Sequence, residues 1–143
     1  MNLMHSNSKL RSFIVVAAWA SVAAVVYATL SKLELIYRLY YFLAPFLNYP
    51  SMRTYATIEH LVAYGVVGML FCALYPRSLF RVCFFLFLFI VGLEVLQTFT
   101  PDRHGLLSDA IEKVIGAVTG AVLMTAVLSW KRTKRVRPTG ETG

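Results

Sequence analysis

The chain has 143 residues, of which 58% are hydrophobic, and a mean hydropathy of +0.64. Its length fits a single domain, and its composition is too apolar for an ordinary soluble one. The formal net charge is +7, from 14 basic and 7 acidic residues. Because most basic residues flank long apolar segments, they are typical of membrane anchoring, and no nucleic-acid partner is expected.

Four segments are long and apolar enough to span a bilayer: residues 12–30, 58–75, 79–99 and 110–130. A hydrocarbon core of ~30 Å requires about 20 helical residues. Lipid offers no partner to an unpaired backbone group, so all four should be helices. The sequence predicts an all-α polytopic membrane protein, one membrane domain over residues 1–143 with a basic tail at 131–143. A cleaved secretory signal is the alternative for the first span, but its apolar run exceeds the usual signal core.

The basic residues predict the orientation of the four helices. Lys9 and Arg11 precede the first span, Arg77 and Arg81 lie between the second and third, and five more follow the fourth within residues 131–137. These positions are alternate ends of a four-helix path, so the positive-inside rule places both termini in the cytoplasm.

The connection between the first two spans is rich in aromatic residues. Residues 35–47 read LIYRLYYFLAPFL, which is too short to span and is interrupted by Arg38. This pattern favours an interfacial helix or a re-entrant element at the outer surface, and an ordinary aromatic belt is the alternative.

Most of the unusual polar residues should meet at the outer end of the bundle. The second span begins there, the third ends there and the fourth begins there. Each pair at three- or four-residue spacing shares one side of its helix. The pairs are His60 and Tyr64, Glu94 and Gln97, and Asp109 and Lys113, with Arg103 and His104 in the loop between the last two spans.

Glu94 is the costliest member of this set. It lies five residues inside Phe99, or roughly 7 to 8 Å deeper along the helix, so its carboxylate needs a partner or a proton. His60, Lys113 and Arg103 are the candidate partners. Ionisable groups within spans are commonly functional, and a polar pocket at the outer leaflet is therefore predicted.

Simpler interpretations remain for single residues. Polar side chains between helices often serve as packing contacts, and an Asp109 to Lys113 pair, with Ser108 or Asp109 as N-cap, would stabilise a helix start. Glu112 is expected to face the headgroups. His60, Glu94, His104 and Asp109 could be imagined around a metal, but no close ligand spacing such as HxxxH is present. Neither a metal nor a cofactor is predicted.

Gly116 and Gly120 form a GxxxG pair on the fourth span. Small residues at this spacing allow another helix to approach closely. Packing within the chain is favoured, and a homo-oligomer formed through the same face is the alternative.

The polar residues, in order and spacing, resemble the VanZ-like family of small bacterial membrane proteins, over about residues 55–128. The resemblance implies a cell-envelope protein of the inner (plasma) membrane, from a family whose founding member is linked to low-level resistance to the glycopeptide teicoplanin. Lys113 departs from the pattern, since many members carry Asn there. The matching residues are His60, Tyr64, Glu94, Gln97, Pro101, Arg103, Asp109 and Gly116.

Two functions fit these observations. The favoured one is non-enzymatic: a membrane lipid or lipid-linked envelope precursor binds in the outer pocket. Its headgroup would contact Arg103, Lys113 and His60. Glu94 and Gln97 would hold these residues in place through hydrogen bonds. The alternative is a membrane hydrolase or transferase in which His60 and Glu94 form an acid–base pair beside Asp109 or a water. A purely structural subunit of a larger complex is the third interpretation. The predicted ligand-binding residues are His60, Tyr64, Glu94, Gln97, Arg103, Asp109 and Lys113, and the catalytic candidates are His60, Glu94 and Asp109.

Overall fold

A computed structural model describes residues 2–30, 41, 42, 45, 51–99 and 107–136. Within these ranges it contains four helices and no strands: α1 (Asn2–Leu30), α2 (Met52–Leu74), α3 (Leu79–Thr98) and α4 (Leu107–Val136). Each contains a stretch long and apolar enough to cross a membrane. The predicted all-α fold with four spanning helices is confirmed. The predicted interfacial element lies outside the described residues except at Tyr41, Phe42 and Pro45, and the cytoplasmic placement of both termini stays a prediction.

Three helices extend beyond the predicted spans. Helix α1 begins at Asn2, and α2 begins before residue 58 because the Ser51 side chain caps it, accepting the Thr54 N–H at 3.1 Å. Helix α4 continues to Val136, so the predicted basic tail starts inside a helix; residues 137–143 lie outside the described part. The difference has a simple cause. Apolar segments of the sequence mark only where a chain crosses the hydrocarbon core. A helix satisfies its backbone groups by its own hydrogen bonds, so it can continue beyond that core into the headgroup region.

Helices α2 and α4 run parallel to each other. Thr57 contacts Glu112 near the start of both helices, and Cys72 Sγ lies 3.1 Å from Thr125 Oγ1 farther along both. A short turn at residues 76–78 reverses the chain, so α3 runs the opposite way, as the sequence predicts. One end of the bundle, here called the polar end, therefore holds the starts of α2 and α4 and the C-terminal ends of α1 and α3. The other, the basic end, holds the 76–78 turn and the C-terminal end of α4.

Helices α2 and α4 touch through their backbones. A Cβ added to Gly120 would overlap the Gly65 carbonyl, and one added to Gly68 would overlap the Ala117 carbonyl. Gly116 likewise faces the backbone of α2. The close packing predicted for Gly116 and Gly120 is therefore made inside the chain, with α2 as the partner, as small residues at helix crossings permit. Pairing of two copies through this face stays a prediction.

The bundle is apolar on the outside as well as in its core. Buried core residues come from every helix and include Val25, Tyr64, Ile90 and Ala117. Large apolar side chains also cover the outside: Phe80 is 83% exposed. An exterior of this kind is compatible with lipid and not with water.

Candidate functional site

A buried ion pair joins α3 to α4 at the polar end. Lys113 Nζ donates a hydrogen bond to Glu94 Oε2 at 2.8 Å, and the Lys113 side chain is 2% exposed. The Tyr64 ring of α2 lies close by, with its centroid 6.0 Å from Nζ. Of the partners predicted for Glu94, Lys113 makes this contact and His60 bonds to Glu112 instead, while Arg103 lies outside the described residues. Because buried charges are costly without partners, this ion pair fixes α3 against α4, and the Tyr64 ring of α2 lies beside it.

A second buried chain of hydrogen bonds brings in α1. Gln97 Nε2 donates to the Thr29 backbone carbonyl at 2.9 Å, which gives a partner to one of the open carbonyls at the end of α1. The Thr29 hydroxyl lies 3.3 Å from the Tyr64 hydroxyl. Thr29, Tyr64, Glu94, Gln97 and Lys113 are all buried, and they are called the inner layer below.

One buried oxygen of the inner layer has no hydrogen-bond partner among the described residues. Glu94 Oε1 is buried, and no group in the described part of the chain hydrogen-bonds to it. A buried carboxylate oxygen without a partner destabilises the folded state, because it has lost its hydrogen bonds to water and makes none within the protein. It is the one acceptor that the described inner layer leaves open.

A half-buried cluster, the outer layer, lies one helical turn closer to the polar end. His60 Nδ1 is 3.1 Å from Glu112 Oε2, and both side chains are 20% exposed. The Thr57 hydroxyl donates to Glu112 Oε1 at 3.0 Å and also lies 3.0 Å from the Arg53 carbonyl. Asp109 completes the cluster and accepts a hydrogen bond from the neighbouring serine hydroxyl. Glu112 therefore contacts α2 through Thr57 and His60 and stays partly exposed, and its predicted position facing the headgroups stays a prediction.

The outer layer has the donor types of a metal site. One ligand atom from each of His60, Asp109 and Glu112 lies within 4.8 Å of the other two. A histidine nitrogen with two carboxylate oxygens suits Zn²⁺ or another first-row divalent ion. The contacts from Thr57 and His60 also give both Glu112 oxygens a partner without any ion.

The polar residues predicted for one pocket thus fall into two layers. Tyr64, Glu94, Gln97 and Lys113 belong to the inner layer, and His60 and Asp109 to the outer one. His60 hydrogen-bonds to Glu112, whereas Glu94 hydrogen-bonds to Lys113. The acid–base pair of His60 and Glu94 stays a prediction. Pro101, Arg103 and His104 lie outside the described residues.

The suggested pairing of Asp109 with Lys113 is wrong, because the lysine side chain reaches across to the deeper Glu94 instead. Helix α4 already begins at Leu107, so Ser108 and Asp109 lie in its first turn and do not cap it.

Sequence reasoning missed three participants: Thr29, Thr57 and Glu112. Glu112 carried a usable signal, since it lies three residues after Asp109 and so shares its side of the helix. Thr57 carried the same signal relative to His60. Thr29 had none, because its part is played partly by a backbone carbonyl at a helix end.

Comparison with known proteins gives one match. A model of the family described as VanZ/LLP1 matches residues 5–129, well over half of the chain. No curated protein and no solved structure matches at a significant level.

Proposed function

Because the chain belongs to the VanZ/LLP1 family, we propose that it is a multi-pass protein of the bacterial inner membrane that binds a lipid or a lipid-linked envelope molecule at its polar end. The ligand's headgroup contacts the outer layer, and its apolar part lies along the apolar exterior of the helices. In the orientation predicted by the basic residues, this site faces the outer leaflet.

The observation that carries the proposal is the partial exposure of the outer layer. His60 and Glu112 are each 20% exposed at the end of a bundle whose flanks are apolar. They offer a ring nitrogen and a carboxylate to whatever lies at that depth. A molecule that reaches them from the membrane needs a polar head and an apolar body, which is the definition of an amphiphile.

The inner layer has a supporting role in this proposal. Lys113 is 2% exposed, so it does not reach a headgroup while it is paired with Glu94. Glu112 directly precedes Lys113 in α4, and His60 lies one turn from Tyr64 in α2. The inner-layer contacts of Lys113 and Tyr64 therefore fix the rotation of α4 and α2, the two helices that carry the outer layer. Arg103 keeps its predicted contact with the headgroup.

Mild extraction followed by native mass spectrometry tests the proposal. His60→Asn should lose a co-purifying amphiphile that the unmodified protein retains. Ile58→Ala is the matched control, because Ile58 lies on the same helix near the same depth and is 50% exposed. Equal retention by both variants, with helicity unchanged, would sink the proposal.

The His60 to Glu112 contact also supports the alternative, a hydrolase or transferase acting on lipid-linked substrates. A histidine oriented by a carboxylate at 3.1 Å is the arrangement of a general base. In this scheme Asp109 or a water is the nucleophile, and Glu94 approaches His60 only in a substrate-bound state. Turnover of a lipid phosphate or a peptidoglycan precursor, abolished by His60→Ala in a folded protein, would favour the enzyme over the binding protein.

A role in glycopeptide resistance rests on the family resemblance. Expression of the chain in a teicoplanin-sensitive bacterium should raise the inhibitory concentration if this member shares that role. The same strain carrying His60→Asn is the control, because it links any phenotype to the outer layer. No change on expression would separate the resistance phenotype from this chain without affecting ligand binding.

A further inference from the structure

An amphipathic groove lies at the opposite end of the bundle from the site described above. It has a volume of about 460 Å³ and is walled by α1, α2 and α3. Pockets that hold small ligands in proteins have volumes of roughly 300–1,000 Å³. Its aromatic walls include Trp19, Phe71, Phe85 and Phe89, and Trp19 packs edge-on against Phe71 with ring centroids 6.1 Å apart.

The length of the groove matches one leaflet. Along α3 it runs from Ser78, next to the 76–78 turn, to Phe89. Eleven residues of helix rise roughly 16 Å, about half of the ~30 Å hydrocarbon core. With α3 spanning the bilayer, a groove of this length that starts at the 76–78 turn covers about one leaflet.

The polar groups of the groove are all at its mouth. Tyr75, Ser78 and Arg81 lie near the turn, whereas the deeper lining is apolar. Arg81 is exposed, and it forms no ion pair with a carboxylate in the described part of the chain. Two hydroxyl groups, together with a guanidinium that forms no ion pair among the described residues, complement a phosphate group at headgroup depth.

We propose that this groove binds one acyl chain of an anionic phospholipid, with the lipid phosphate at Arg81. The acyl chain fills the groove, and the lipid phosphate accepts hydrogen bonds from the Arg81 guanidinium and from the Ser78 hydroxyl. The site is independent of the polar end, because it uses other residues and lies at the opposite end of the bundle. It would tie the basic end to the leaflet with more anionic lipid.

The chain offers a matched test of the charge. Arg77 lies four residues before Arg81, in the 76–78 turn, is also exposed, and does not line the groove. In native mass spectra, the unmodified protein and Arg77→Gln should both prefer phosphatidylglycerol to phosphatidylcholine with identical acyl chains. In Arg81→Gln the ratio of bound phosphatidylglycerol to bound phosphatidylcholine should fall roughly fivefold. Equal losses in both arginine variants would show general surface attraction and overturn the proposal, and so would no loss in either.

A second pair of variants tests the slot. Val22 of α1 lines the groove, so Val22→Trp should fill it and remove one tightly bound lipid per chain. Val122→Trp adds the same bulk at an exposed position of α4 outside the groove and should leave that lipid bound. Retention of the lipid by Val22→Trp overturns the proposal. A change in oligomeric state with no change in lipid would instead assign the groove to a helix of a second copy. Loss of amphiphile from the polar end in the His60 variant is a separate readout, so either proposal can fail alone.

Discussion

The buried pair of Glu94 and Lys113 should dominate the stability of the polar end. Lys113→Met keeps most of the side-chain volume and removes the charge. It leaves Glu94 with no hydrogen-bond partner in the described part of the chain, because Oε1 already lacks one and Oε2 loses its 2.8 Å contact. Breaking one side of a buried pair costs about 3–5 kcal/mol. For a chain near this size roughly 2–4 °C of melting temperature corresponds to each kcal/mol.

We therefore expect Lys113→Met to lower the melting temperature in detergent by about 6–20 °C. The double variant Glu94→Leu with Lys113→Met should recover most of that loss, because an apolar pair of similar volume replaces a buried ion pair at little cost. Lys131→Met removes an exposed lysine from the same helix and should shift the melting temperature by less than about 2 °C. If Lys113→Met melts like the unmodified protein, or if the double variant is no more stable than the single one, the pair is not the support described here.

Three further predictions concern single contacts. Gly120→Leu should separate α2 from α4 and abolish the compact fold in a thermal melt, because even a Cβ overlaps the Gly65 carbonyl, whereas Gly92→Leu enters open space and should be tolerated. Gln97→Leu should cost about 1–3 kcal/mol in denaturant unfolding, because the Thr29 carbonyl loses its buried donor; an unchanged midpoint would contradict this. His60→Asn should change stability by less than about 1 kcal/mol, since its pair is partly exposed, and a large loss would make the outer layer a structural element.

The fold was predictable because the length and hydropathy of an apolar segment are enough to identify it as a membrane span. The contacts between spans were less so. A helix that is apolar all round does not reveal which side faces its neighbours, and α3 is such a helix. Its Glu94 could be placed at the correct end, but the choice among His60, Lys113 and Arg103 depended on helix rotation.

The closest helix pair was also hidden from the sequence. Short connections favour neighbours in chain order, yet α2 packs on α4 through Gly65, Gly68 and Gly120, about 50 residues apart. The GxxxG spacing identified one face of this contact and not its partner. Because α2 and α4 are adjacent, Glu112 lies within hydrogen-bond distance of His60. The outer layer depends on this contact, which the sequence did not predict.

The proposed role of the outer layer is to hold the headgroup of an amphiphile. Its most direct test compares Glu112→Gln with Glu59→Gln in native mass spectra of protein extracted with its lipids. Both variants remove one carboxylate at similar depth, but the described contacts to Thr57 and His60 belong to Glu112. We expect Glu112→Gln to lose the bound amphiphile and Glu59→Gln to keep it. Retention by both variants, or equal loss from both, would contradict it.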